Sequence, residues 1–179
     1  MEPVAENGGA GTEVGQYVAY RFFRVDPAWR RLPLDERTAG KEAFADVVDE
    51  FARRIEGLRS YSTVGVRPDA DFFLWTISQS YDDLLALGAA LNGTPLAAWL
   101  ETPYSYLGTT KPSVYTDKKR IRQGRVLPRN APYLVVYPFV KRRPWYFLSF
   151  EERATAMREH AEVGATFVTV TNHTTYSFG

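Results

Sequence analysis

Only two histidines occur among the 179 residues, and there is no cysteine. Disulfides, thiolate metal ligation, Cys-based zinc sites and Cys nucleophiles are thereby excluded together, so metal chemistry must rest on His, Tyr or carboxylates. His160 is the residue best placed for it. Phe150, Ala154, Met157 and Ala161 recur along one face of a helical stretch, with His160 and Gly164 flanking that face. Glu151, Glu152, Arg158, Glu159 and Glu162 point the other way, to water. An imidazole in that position is a candidate metal ligand; the bland alternative is a satisfied core histidine. On their own residue types, Lys141 is a strand-end surface lysine, Trp145 a core tryptophan and Tyr137 a packed sheet residue.

The elements that must hold these side chains follow from the pattern around them. Tyr133 to Lys141 is apolar and β-branched and predicts a strand. Ser149 with Glu152 makes an S-x-x-E capping box, which starts a helix at Phe150. Phe167 to Phe178 alternates weakly and predicts a further strand. Laid over the beginning of the chain with an offset of 116 residues, this stretch matches Tyr17 with Tyr133, Phe23 with Phe139, Trp29 with Trp145, Leu32 with Leu148, Glu36 with Glu152 and Arg37 with Arg153. The chain therefore reads as a duplication, and the register sets His160 opposite Phe44, an ordinary core residue.

In the first copy, Tyr17 to Val25 predicts a strand and Leu34 to Ile55 an amphipathic helix closed by Gly57. Leu58 to Val66 and Asp71 to Gln79 predict two strands; a helix capped at Ser80 runs to a break at Asn92-Gly93, and a short helical piece continues through Trp99. Strand, helix, strand, strand, helix is most of a ferredoxin-like unit, whose sheet leaves one face bare and needs a partner sheet. The expected architecture is α+β, a duplicated ferredoxin-like fold of the dimeric α/β barrel type. It has a flexible arm over 1–15, a first repeat over 16–108, a basic linker over 109–132 and a second repeat over 133–179. Counterparts of the Asp71 strand and the Tyr81 helix are missing from that second repeat, so a truncation at its C-terminus is expected.

Bulk numbers bound the rest. A 45% hydrophobic, 24% charged chain has material for one sizeable core or two small ones, and a net charge of +1 gives no reason to expect nucleic acid or a membrane as partner. With no charged leader before an apolar run and no span near the length of a membrane helix, a cytoplasmic protein is expected. The linker carries Lys111, Lys118, Lys119, Arg120, Arg122, Arg125 and Arg129 against Asp117. It is either a solvated connector or a cationic flap that attracts carboxylates of a ligand.

The runs YPFVKRRPWYFLSFEERATAMREH, NHTTYSFG and SYLGTTKPSVYTD resemble the chlorite dismutase family, which includes the coproheme decarboxylases. The resemblance extends from Tyr17 to Gly179 and implies a duplicated ferredoxin-like barrel, a homo-oligomer (pentamer or dimer), and haem b or coproheme in the second copy. By that pattern His160 matches the proximal iron ligand, with Met157 on the same wall, and Lys141 and Trp145 match positions at the propionates and rim. Tyr137 matches the tyrosine whose radical attacks a propionate in peroxide-driven decarboxylation. Chlorite-degrading members carry an arginine on the strand after the His helix; here Thr171, Asn172 and His173 occupy the candidate positions. His173 is either a proton acceptor for peroxide or a strand-surface histidine. The resemblance thus implies a haem-dependent oxidoreductase that converts coproheme to haem b with peroxide. Chlorite breakdown to chloride and dioxygen, or a non-catalytic haem-binding or assembly module, are the alternatives.

Overall fold

The computed structural model of the chain describes residues 15–111, 125–128 and 131–178. The expected arm at 1–15 lies almost entirely outside the described residues, as do Lys118, Lys119, Arg120, Arg122 and Arg129 of the basic linker.

β1 (Tyr17–Val25) forms the middle of an antiparallel sheet because its side chains are apolar on both faces. Tyr17, Ala19, Arg21 and Phe23 alternate with Val18, Tyr20 and Phe22, and successive residues of a strand face opposite ways. The strand stops at Asp26-Pro27, where the Asp26 carboxylate accepts from the Ala28 N–H at 2.7 Å and starts a 3₁₀ turn, Pro27–Arg31. α1 (Leu34–Ala52) then buries Phe44 and Phe51. β2 (Gly57–Ser62) and β3 (Phe72–Ser78) pair antiparallel, Gly57 opposite Ile77 and Ser62 opposite Phe72. α2 (Tyr81–Asn92) begins at Ser80, whose hydroxyl accepts from the Asp82 N–H at 3.2 Å, and buries Leu84, Leu87 and Leu91 at helical spacing. A second 3₁₀ turn, Pro95–Trp99, leads into β4 (Leu100–Thr109).

The order β2-β3-β1-β4 with two helices on one face is the ferredoxin-like arrangement. Between helices and sheet lies one core of Phe23, Trp29, Phe44, Phe51, Leu58, Leu74, Leu87, Leu91 and Leu96. α1 crosses Trp29 so closely that a Cβ on Gly40 would sit 2.7 Å from its ring, so glycine is required there. The opposite sheet face carries a second core, Val18, Phe22, Phe73, Trp75 and Ile77, and it is not bare: Val126 is buried on it and Leu134 and Val136 pack against it.

Three expectations need correction. Residues 100–109, left without a strand in the sequence reading, form β4. Phe22 pairs with Tyr104 and Arg24 with Glu101, so Thr102 and Pro103 together oppose Phe23 in a β-bulge. Proline is tolerated at such a bulge, which is why its presence there does not end the strand. The strand expected over Tyr133 to Lys141 does not form. Leu134 and Val136 do alternate inward against the sheet while Tyr133, Val135 and Tyr137 face out, but the segment joins no ladder among the described residues. From the strand expected over Phe167 to Phe178 only β5 (Tyr176–Ser177) is paired, with Gly108 and Thr109 of β4.

The two helices of the second half fall where the register placed them. α3 (Arg143–Phe147) lies 116 residues from the Pro27–Arg31 turn at both ends, and α4 (Phe150–Ala165) starts 116 residues after α1. Arg37 and Arg153, matched by the same offset, share a feature: each has a buried Nε with no hydrogen-bond partner among the described residues. Neither α3 nor α4 contributes a buried residue.

Candidate functional site

α4 is the element on which the candidate site depends. Its start is fixed chemically: Ser149 Oγ accepts from the Glu152 N–H at 3.2 Å, and the Ser149 N–H donates to the Glu152 carboxylate at 2.7 Å. That backbone donor, followed by the Ser149 hydroxyl, holds the Glu152 carboxyl below its ordinary value. The capping box thus fixes where the helix starts and leaves His160 flanking the face that carries Ala154 and Met157. Met157 and Ala154 are half-buried, while His160 is exposed and Phe150 is 55% exposed. A helix of this length with no buried residue is marginal by itself, so the face that His160 flanks is available for a cover.

Lys141 and Trp145 are brought together, the ammonium 4.2 Å from the centre of the indole ring, where the ring's negative face attracts it. Tyr137 is 69% exposed, and its nearest ring neighbour is Phe139, with centroids 6.2 Å apart. His173 goes elsewhere. It is half-buried with its ring 6.0 Å from that of Trp75, on the second face of the first unit's sheet. Thr175, two residues on, reaches the same side, toward Tyr20, whose pKa is raised by burial. Asn172 points the opposite way, its amide nitrogen 3.9 Å from where a Cβ on Gly164 of α4 would stand. Of the three positions after the helix, Asn172 therefore approaches α4 and His173 the sheet. Thr171 is exposed.

No three His, Asp or Glu side chains converge among the described residues. A lone imidazole serves best for a metal that arrives with other donors of its own. The linker cations that are described take structural partners: Arg125 pairs with Glu56, and Lys111 lies 4.1 Å over the Tyr176 ring.

Two polar groups that sequence reasoning passed over belong to the first unit. Gln16, fully buried, donates to Val126 O at 3.1 Å and accepts from Val126 N at 2.7 Å, so one side-chain amide pins the incoming chain to the sheet. Arg21 stands on the helix-facing side of β1, where the strand's alternation calls for an apolar residue; that mismatch was the available signal. Burial draws its guanidinium pKa down.

Comparison with known proteins adds the context. A family model described as chlorite dismutase matches residues 37–179. Among solved structures, a protein from Thermus thermophilus described as a novel haem-binding protein is 25% identical, with a TM-score of 0.76 over 87% of this chain and 68% of that one. The chlorite dismutase of Candidatus Nitrospira defluvii in complex with imidazole gives 24% identity and a TM-score of 0.72 over 87% and 67%, and a mutant of that enzyme 24% and 0.71 over 84% and 65%. The chain thus spans about two thirds of the length of the solved structures it matches. No helix among the described residues is long and apolar enough to cross a membrane. An antiparallel α+β fold shared with those structures and a family match over most of the sequence lead to one conclusion: the chain belongs to the chlorite dismutase family.

Proposed function

We propose that this chain is the haem-binding part of a coproheme decarboxylase, with His160 as the iron ligand, in the second of two related ferredoxin-like units. The observation that carries the proposal is the match of α4 to α1. Phe44, the residue equivalent to His160, is 7% exposed between α1 and the sheet. An equivalent layer beneath α4 would enclose His160 in the same way, with imidazole where the first unit has a phenyl ring. The donor set suits a haem: a neutral imidazole is a suitable iron ligand, and a porphyrin supplies the remaining donors.

Iron held by His160 would activate peroxide, which is the oxidant. The chain's own residues do the rest. The Lys141 ammonium pairs with a propionate and the Trp145 indole, already in contact with Lys141, packs against the rim. Tyr137, largely exposed, is the group that would take an electron and a proton from a propionate held beside it. Each propionate, with one peroxide and one proton, yields a vinyl group, carbon dioxide and two waters. Decarboxylation is favoured over chlorite breakdown because none of Thr171, Asn172 and His173 is the cation that would hold chlorite.

Titrating the purified chain with coproheme tests this. A Soret band is expected that shifts or weakens in His160→Ala, together with carbon dioxide release on adding peroxide that is lost in Tyr137→Phe. No band, or an identical one without the imidazole, rules out the site. Oxygen evolved from chlorite in place of carbon dioxide would reassign the reaction while leaving the ligand in place.

A further inference from the structure

We propose that the first unit holds a separate binding site for a short-chain monocarboxylate, in the cleft between α2 and the centre of the sheet, with Arg21 as the anion-binding group.

The cleft has a volume of about 150 Å³ and lies under α2. Its walls are Leu74, Leu84, Leu87, Leu91 and Leu107, with Tyr81 and Leu85 at the rim. Leu85 is 53% exposed and Tyr81 38%, which marks the way in. Into this apolar space the central strand puts a cation. The ion pairs among the described residues are Arg24–Glu101, Arg54–Glu50, Arg67–Asp69 and Arg125–Glu56, and the Arg21 guanidinium takes part in none of them. It also makes no hydrogen bond to a described residue. Its nitrogens are left for water or for an anion that enters the cleft.

The surroundings are shaped around the guanidinium. A Cβ on Gly88 would stand 3.1 Å from Nη1 and 3.2 Å from Nη2, so the helix carries its glycine where the head group lies against it. Interior glycine is unfavourable in a helix relative to alanine. Ser105, opposite Arg21 in the β1–β4 register, and Thr76 on β3 bring the only hydroxyls beside Tyr81 to the lining. A planar guanidinium matches a carboxylate with two parallel hydrogen bonds. One cation among leucines suits a singly charged head with an apolar tail. Phosphate would need further charges or a row of backbone donors.

The site is independent of the cofactor proposed for the second half, and its test uses neither haem nor peroxide. Calorimetric titration of the full chain with hexanoate should show saturable binding, with 1-hexanol and sulfate each binding at least about tenfold more weakly, as the loss of a charge-assisted pair requires. Arg21→Met should lose hexanoate affinity by a similar factor with its circular dichroism unchanged. Should that variant not fold, Arg21→Lys keeps the charge without the fork and should bind hexanoate severalfold more weakly than the unsubstituted chain, with hexanol unaffected. No saturable binding, equal affinity for hexanol, or equal affinity in the Arg21 variants overturns the proposal. Self-association that disappears in Arg21→Met also overturns it, since the anion would then be a carboxylate of a second copy.

Discussion

Replacing Gln16 by alanine should destabilise the protein by about 2–3 kcal/mol, and the structure shows why the figure has a ceiling. The Gln16 amide satisfies both backbone groups of Val126, which is 2% exposed, and also donates to Glu56. If Val126 stayed in place, its N–H and C=O would be dry and unpaired at about 1–3 kcal/mol each. If the segment instead lifted off the sheet, water would satisfy both groups and the loss would be the buried valine side chain, about 1.5–3 kcal/mol. The chain takes whichever route is cheaper, so detachment sets the limit. For a chain of this size the Tm should fall by about 4–12 °C. Urea denaturation gives the stability change, and hydrogen exchange at the Val126 amide identifies the route: a loss of protection there, with the β1–β3 amides still slow, is expected. A change below about 0.5 kcal/mol with Val126 still protected would refute the reasoning. Gln16→Glu is a sharper variant, because a carboxylate keeps the acceptor for Val126 N–H, loses the donor to Val126 O and places a second negative charge beside Glu56. Its penalty should therefore grow as pH rises.

Other outcomes follow from the same structure. The Asp69 carboxyl is drawn from its ordinary 3.8 down to about 2, first by the Arg67 guanidinium at 2.6 and 2.8 Å and then by the Tyr104 hydroxyl at 2.6 Å. Because the folded value is the lower one, the stability this carboxylate contributes is complete above 3.8 and is lost as pH falls toward 2. A carboxyl NMR titration should show that midpoint moving upward in Tyr104→Phe. Ile77→Ala, at a site with no exposure, should cost about 2–5 kcal/mol by denaturant titration, whereas Val66→Ala, 83% exposed, should stay within about 0.5. Ser149→Ala removes the cap of α4 and should cost that helix about 0.5–2 kcal/mol. Since α4 buries no residue, the change should appear as lost helical signal with the main unfolding transition unmoved.

The legible parts of the fold were those written in local chemistry. Ser149 with Glu152, Ser80 before α2 and Asp26-Pro27 after β1 each fixed an end within a residue, because capping and proline act on their immediate neighbours. Strands proved harder because a ladder needs a partner. Tyr133 to Lys141 has the right alternation but no neighbouring strand among the described residues, while β4, with Pro103 and several polar residues, pairs with β1 on both sides of its bulge. The site divides the same way. The helix start at Phe150, and with it the phase that sets His160 beside the Met157 face, was readable; the contact of Lys141 with Trp145 was not, because their residue types alone read as a strand-end surface lysine and a core tryptophan. That His173 turns to Trp75 and Asn172 toward α4 was not, because one step along an extended chain reverses the facing of every side chain.

Pro103 carries one more implication. Position 103 has no amide hydrogen to offer a neighbouring strand, and the doubled residues there twist β4 out of line. On the β4 side of the sheet, pairing is found at the Gly108 end, where β5 docks. A single imino acid and its bulge thus blunt the part of the β4 border around position 103 against stray pairing.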